Sequence, residues 1–178
     1  VLSDTIPDKY TYRAINTYPH NTTHYTQGLE YFKGKLYEGT GEKGKSALFK
    51  INLASGNILN SYPLDDEYFG EGITILDDKI YQLTYHAQKG FVYRLSDFAL
   101  VDSFSYTMKQ GWGLTNDGKS LIMGDGTHRL YWLDPQDFSV QKTVQVVNDK
   151  GLVNNLNELE YINGTIYANV YTTNIIIQ

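Results

Sequence analysis

The sequence contains no cysteine, and only four prolines and two tryptophans among its 178 residues. Without cysteine there can be no disulfide and no thiolate-held zinc or iron–sulfur centre, a composition that suits a cytoplasm or a bacterial periplasm. No apolar run approaches the roughly 18 residues that a membrane-spanning helix requires. Val1–Asp8 carries no leader-like pattern and reads as a mature start rather than a native initiator. No block of like charge forms a tail, and a net charge of −5 marks the chain for neither nucleic acid nor an anionic membrane. A long 3.6-residue apolar period is also missing, which argues against amphipathic helices. What is abundant is tyrosine and glycine, sixteen of each, the composition of many strands joined by tight turns. The expected class is all-β.

A repeat is visible along the chain. Gly28-Leu29-Glu30-Tyr31 precedes Gly34-Lys35-Leu36-Tyr37, and Gly72-Ile73-Thr74-Ile75 precedes Asp78-Lys79-Ile80-Tyr81. Gly113-Leu114-Thr115 precedes Gly118–Ile122, and Glu158-Leu159-Glu160-Tyr161 precedes Gly164-Thr165-Ile166-Tyr167. The unit starts are offset by 44, 41 and 45 residues. Third strands are expected at Ala47–Leu53, Phe91–Leu95, Arg129–Leu133 and Asn174–Gln178, and fourth strands at Ile58–Pro63, Leu100–Tyr106 and Val140–Val146. Four strands per unit at this period is the pattern of β-propeller blades. A β-sandwich is the other architecture open to such strands, but it needs no self-similarity. Unit four stops after its third strand, and Tyr12–Pro19 resembles the fourth strand Ile58–Pro63. That stretch is therefore expected to be an outer strand closing the last blade of a ring. Residues 1–178 then form one propeller domain, incomplete at its C-terminal end and exposing apolar faces.

Gly39-Thr40-Gly41-Glu42-Lys43-Gly44-Lys45-Ser46 satisfies the pattern of a phosphate-binding loop. That chemistry needs a helix after the loop, whereas Ala47–Ile51 reads as a strand, so a hairpin turn is expected. His20 and His24 stand four apart, but between a strand and a unit start and with no carboxylate spaced to complete a metal site. No metal is expected there. Asn21-Thr22-Thr23 and Asn163-Gly164-Thr165 match the short glycosylation pattern, which has meaning only in a eukaryotic source.

The residues just before the unit starts are Gln27, Glu71, Trp112 and Asn157. Equivalent positions of blades lie at equivalent places around an axis, so these four should converge at one end of a central channel. Tyr25 and Phe69 add aromatic walls. An amide, a carboxylate, an indole and a second amide beside aromatics describe a pocket for a small molecule or a chain terminus. Capping of the inner strands is the other reading of the same residues.

Those residues lie in segments that resemble the glutamine cyclotransferase family of plants and bacteria. The matching segments are Tyr25–Leu29, Tyr68–Thr74, Gly111–Thr115, Gly124–Thr127, Asn157–Tyr161 and Ala168–Val170. They run in order through nearly the whole chain. The resemblance implies a five-bladed β-propeller, of which this sequence holds about three full blades, most of a fourth and an N-terminal closing strand. It implies an acyltransferase that converts the N-terminal glutamine of peptides or proteins to pyroglutamate with release of ammonia, without metal or other cofactor. Glu71 is the implied catalytic proton shuttle, and Gln27, Phe69, Trp112 and Asn157 the implied substrate-binding residues. Tyr25 stands where the family segment has another aromatic, and Tyr85 and Tyr171 stand where tryptophan often follows. A tyrosine keeps the wall and adds a hydroxyl. A family lysine of the last blade has no counterpart here. The resemblance further implies a monomer of bacterial, periplasmic or secreted location that binds no nucleic acid. Two rival classes are a non-catalytic propeller holding peptide or glycan in the axial pocket, and a nucleotide-binding protein dependent on Lys45.

Overall fold

The computed structural model describes residues 6–178, and no helix occurs among them. Part of the start discussed above, residues 1–5, lies outside the described residues. Strands β1 (Thr26–Phe32), β2 (Lys35–Thr40), β3 (Ala47–Ile51) and β4 (Ile58–Pro63) form one antiparallel sheet in sequence order. The second sheet follows the same order with β5 (Gly70–Leu76), β6 (Lys79–Thr84), β7 (Lys89–Arg94) and β8 (Leu100–Ser105). The third contains β9 (Leu114–Asn116), β10 (Leu121–Gly124), β11 (Arg129–Leu133) and β12 (Val140–Gln145). A small hairpin, β13 (Val147–Asn148) with β14 (Gly151–Leu152), precedes a three-stranded sheet of β15 (Leu156–Ile162), β16 (Thr165–Val170) and β17 (Ile176–Ile177). These are four blade-like sheets of a β-propeller, as the repeat predicts.

Local chemistry fixes the inner hairpins. Phe32 pairs with Lys35 and Ile162 with Thr165, leaving two-residue turns Lys33-Gly34 and Asn163-Gly164 with both residues at positive φ. That geometry matches the twist of the flanking strands and suits Gly and Asn. Burial then follows strand order. The innermost strand of the second blade, β5, is buried along its whole length because a blade lies on each face. The outer strands β4, β8 and β12 are largely exposed.

The core is divided among the blade interfaces. Tyr37, Leu48, Ile73, Ile80 and Tyr93 fill the space between the first and second sheets. Leu83, Val92, Leu114, Leu121 and Met123 fill the next, and Ile122, Leu130, Leu156 and Leu159 the third. Each fully buried side chain of this kind contributes roughly 1.5–3 kcal/mol. On the outward faces of the first and fourth blades, Tyr31 and Ile176 remain exposed.

Around the axis the blades meet backbone to backbone. A Cβ on Gly28 would lie 2.5 Å from the Ile73 nitrogen, one on Gly72 2.5 Å from the Trp112 carbonyl, and one on Gly113 2.0 Å from the Asn157 carbonyl. Each is the first residue of a unit set against the next unit. Two residues on, Glu30 accepts the Ile75 N–H, Thr74 Oγ1 accepts the Asn116 side-chain N–H, and Thr115 Oγ1 accepts the Tyr161 N–H. The same register position thus joins each successive pair of blades.

Two expectations are corrected. Tyr12–Pro19 forms no strand and is exposed throughout. A β-strand exists through its neighbour's N–H and C=O groups, and among the described residues no strand pairs with this stretch. The third strand of unit four is shorter than Asn174–Gln178, since Tyr171–Asn174 form turns and only Ile176 and Ile177 pair.

A methyl group placed at Gly113 should force the third and fourth blades apart, whereas one at Gly124, whose nearest atom is 3.7 Å away, meets ordinary contact. Gly113→Ala is expected to lower stability by about 1–3 kcal/mol or more and Gly124→Ala by less than about 0.5 kcal/mol. The urea midpoints of the two variants check this; equal midpoints would show that the axial approach is not the constraint.

Candidate active site

In an antiparallel hairpin the start of the first strand and the end of the second share one end. Tyr25 precedes β1 and Gln27 lies at its start, Phe69 precedes β5 and Glu71 lies at its start, Trp112 precedes β9, and Asn157 lies at the start of β15. Tyr85 follows the end of β6, and Tyr171 follows the end of β16. All eight line one cavity of ≈ 120 Å³ at this end of the propeller. The volume corresponds to about four water molecules, enough for one amino-acid residue and well short of a drug-sized site.

The backbone aims these side chains. The ladders of β1, β5 and β15 are irregular between Thr26 and Gly28, between Gly70 and Ile73, and between Leu156 and Leu159. Gln27, Glu71 and Asn157 each lie inside such an irregularity. A bulge releases a residue from the two-fold alternation of the pleat and re-aims its side chain, here toward the axis. The same cross-strand bond then closes three blades: Gly41 N–H to Tyr25 O, Tyr85 N–H to Phe69 O, and Tyr171 N–H to Asn155 O. Gly41 is therefore the first blade's equivalent of Tyr85 and Tyr171. A Cβ at Gly41 would sit 2.4 Å from Phe69 Cε1 and 3.0 Å from Gln27 Cγ. The glycine makes room for the ring.

Five aromatics form a continuous arc. Tyr25 meets Phe69 at 6.2 Å between ring centres, Phe69 meets Tyr85 at 5.7 Å, Tyr85 meets Trp112 at 6.4 Å, and Trp112 meets Tyr171 at 5.6 Å. All are edge-on or tilted, the arrangements that aromatic quadrupoles favour. The Trp112 indole N–H is held by Gln110 Oε1 at 2.9 Å. A wider cleft of ≈ 560 Å³ adjoins it, and its carboxylate, Asp125, is occupied by Thr127 and Tyr131.

Glu71 is the one carboxyl lining the smaller cavity. It is only 6% exposed, and burial pushes its pKa up to about 8. Desolvation without a cationic partner favours the neutral acid. Other carboxyls are disfavoured as anions around the same axis. Burial raises Glu30 and Glu160 to about 7, and raises Glu158 well above the ordinary range, with Glu160, Glu71 and Glu30 adding repulsion. Glu158 occupies the unit-start position that is glycine in the other three units, and its Oε1 accepts the Leu29 N–H of the first blade.

The phosphate-loop pattern is a hairpin connection, as expected: β2 ends at Thr40 and β3 starts at Ala47, with no helix after it. Its glycines have packing reasons. A Cβ at Gly39 would lie 2.7 Å from Ile73 Cγ2, Gly41 accommodates Phe69, and Gly44 has φ +75°. The histidine pair requires a correction. Glu38, on β2, reaches both rings, at 2.9 Å from His20 Nε2 and 2.8 Å from His24 Nδ1. The carboxylate that spacing did not supply comes from the neighbouring strand. Its signal in the sequence was a glutamate inside a strand with apolar Leu36 and Tyr37 before it, a position where a charge needs partners. Gln110, the hairpin β13–β14 and the three bulges were likewise not legible.

A family model described as glutamine cyclotransferase matches residues 2–178. A glutaminyl-peptide cyclotransferase of Arabidopsis thaliana is 41% identical over 164 residues, covering 92% of this chain and 51% of that protein. The chain thus spans about half the length of this curated relative. The crystal structure of Myxococcus xanthus glutaminyl cyclase superposes with a TM-score of 0.85 at 30% identity, covering 92% of this chain and 69% of that one. The WD40 repeats of RRP9 superpose with a TM-score of 0.58 at 10% identity, covering 85% and 46%, a likeness of fold alone.

The Glu71 carboxyl has a consequence for stability. Its folded pKa of about 8 lies above the ordinary 4.5, so between these values the folded chain holds a proton that the unfolded chain has lost. Stability therefore falls as pH rises from about 4.5 to about 8, and the penalty is complete above that. Glu71→Gln should match the parent chain near pH 4.5 and be the more stable by at least about 1 kcal/mol at pH 9. Denaturant midpoints at the two pH values measure it, and a pH-independent difference refutes the buried acid.

Proposed function

The chain belongs to the glutamine cyclotransferase family, and from that premise we propose that it closes the N-terminal glutamine of peptides or proteins into pyroglutamate, releasing ammonia. The observation that carries this reading is the lone Glu71 carboxyl, buried and raised to about 8 inside an aromatic cavity of one-residue size.

The substrate brings both reactants. Its α-amine, with a reference pKa of about 7.7–8.0, is partly neutral near pH 7. The nitrogen attacks the γ-carboxamide carbon, the ring C–N bond forms, and the former amide C–N bond breaks. Nucleophile and electrophile belong to one residue, so the cavity need only select the cyclic conformer. The attacking nitrogen loses a proton while the departing nitrogen gains one and leaves as ammonia. In its acid form Glu71 donates that proton and, as the carboxylate, collects the one released by the ring nitrogen, ending as it began. Gln27 and Asn157 supply amide N–H groups for the carbonyl oxygen that gains charge, or hold the substrate amide. Phe69, Trp112, Tyr25, Tyr85 and Tyr171 enclose the side-chain methylenes and exclude the water that would otherwise hydrolyse the amide.

The same reading takes residues 1–178 as one domain, supported by the continuous cores between successive blades, and takes that domain to act as a monomer. It adds a fifth blade that covers the exposed Tyr31 and Ile176 of the first and fourth. A bacterial source and a periplasmic or secreted location rest on the family resemblance. Among the described residues no helix is long and apolar enough to cross a membrane.

With a short Gln-initiated peptide, ammonia release is expected from the parent chain and a fall of at least about 100-fold in Glu71→Gln, the usual scale for a lost acid–base group. Equal release by both chains would remove Glu71 from the mechanism. Binding of the peptide without ammonia release, in a chain extended to five blades, would favour the non-catalytic module. The rate should rise toward pH 8 as the substrate amine becomes neutral and decline above it as Glu71 loses its proton. A rate that stays flat to pH 10 contradicts the proton assignment.

A further inference from the structure

Outside the cavity, one cluster of side chains remains without a role in this chemistry. We propose that His20, His24 and Glu38 form a binding site for a divalent transition-metal ion of the zinc class, one that ties the N-terminal segment to the first blade. The donors come from two places in the chain. His20 and His24 belong to the segment entering β1, and Glu38 lies in the middle of β2. A turn in which the His24 N–H bonds to Asn21 O folds the segment so that both rings reach the same carboxylate.

The donor atoms, two imidazole nitrogens and a carboxylate oxygen, lie within 4.8 Å of one another. Two histidines and one glutamate are a recurrent zinc set, with a fourth position left for water or another ligand. Bonds of about 2.0–2.2 Å to zinc set tetrahedral donors about 3.3 Å apart. His20 Nε2 and His24 Nδ1 stand 2.9 and 2.8 Å from the two Glu38 oxygens. Seating the ion replaces the hydrogens now shared; it opens these two contacts by a few tenths of an ångström and draws the widest-set donors, within 4.8 Å of one another, closer together. His24 is held for this task by stacking on Phe49, with ring centres 4.3 Å apart and planes inclined by 16°. Thr26 Oγ1 also donates to Glu38 Oε1 and orients the carboxylate as a partner behind the ligands.

The charge balance points the same way. The Glu38 side chain is wholly buried, and among the described residues no lysine or arginine pairs with it. A buried carboxylate without a cation is costly, and a divalent ion between it and two neutral imidazoles compensates the charge. The site is separate from the proposed chemistry. Its effect on the cavity is through the chain, because His24 and Thr26 alternate with Tyr25 and Gln27. Fixing the first pair fixes the direction from which the second pair enters the cavity.

The test titrates the folded chain with Zn²⁺ by calorimetry and with Co²⁺ by visible absorption. The variant is His24→Ala and the control His86→Ala, which alters an exposed histidine outside the cluster. One ion per chain is expected, with tetrahedral cobalt bands and a zinc-dependent rise in unfolding temperature. His24→Ala should weaken binding by at least about tenfold and abolish the rise, while His86→Ala leaves both unchanged. Circular dichroism of each variant separates loss of the site from loss of the fold. Absence of saturable binding in the parent chain, or equal binding in a folded His24→Ala, overturns the proposal.

Discussion

The approach of inner strands around the axis is the constraint on which the rest of this structure depends. Gly28, Gly72 and Gly113 each bring one unit's backbone to within the space that a methyl group would need against the next. Only that closeness allows the side chains two positions on to reach the neighbouring blade, as Glu30, Thr74 and Thr115 do. The apolar clusters between sheets then supply the bulk of the cohesion, but the glycines decide how near the axis the sheets can come. In the fourth unit Glu158 replaces the glycine, and its carboxyl fills the axial space and bonds to the first blade. A polar group so placed keeps its proton more readily than it would in water, which is the physical reason for its raised pKa.

The same geometry creates the cavity. The residue before each unit start sits where the strand is closest to the axis, and bulges turn Gln27, Glu71 and Asn157 out of the pleat toward it. Aromatic rings from five chain positions then wall the space, and Gly41, the first blade's equivalent of Tyr85 and Tyr171, leaves room for Phe69. On the proposed mechanism, stability and chemistry draw on one carboxyl in opposite ways. Desolvation that makes Glu71 a proton donor near neutral pH also makes its anion a cost to the folded state. A side chain retained under such a penalty is the kind expected at a site of reaction rather than in a cap.

The segment before β1 shows how tertiary contact can replace secondary structure. Tyr12–Pro19 has the composition of an outer strand yet pairs with none among the described residues. What holds the chain as it enters the first blade is the cluster of His20 and His24 on Glu38, with Thr26 beside them.

The sequence by itself determined the all-β class, the four units, and the hairpin in place of a phosphate loop. Counting along the repeat also brought Gln27, Glu71, Trp112 and Asn157 together beside Tyr25 and Phe69, whereas Tyr85 and Tyr171 entered only through the family resemblance. These were legible because a repeat converts sequence position into angular position around an axis, so residues far apart in the chain can be superposed by counting. Counting fails where the interaction is not repeated. Glu38 meets two histidines of the segment that precedes β1, and Gln110 holds Trp112 in the third blade; the bulges, though repeated, depend on local hydrogen bonding that no residue type announces. Only the tertiary structure could decide those, because the partner of a buried polar group is chosen by which strands lie side by side and by what space they leave.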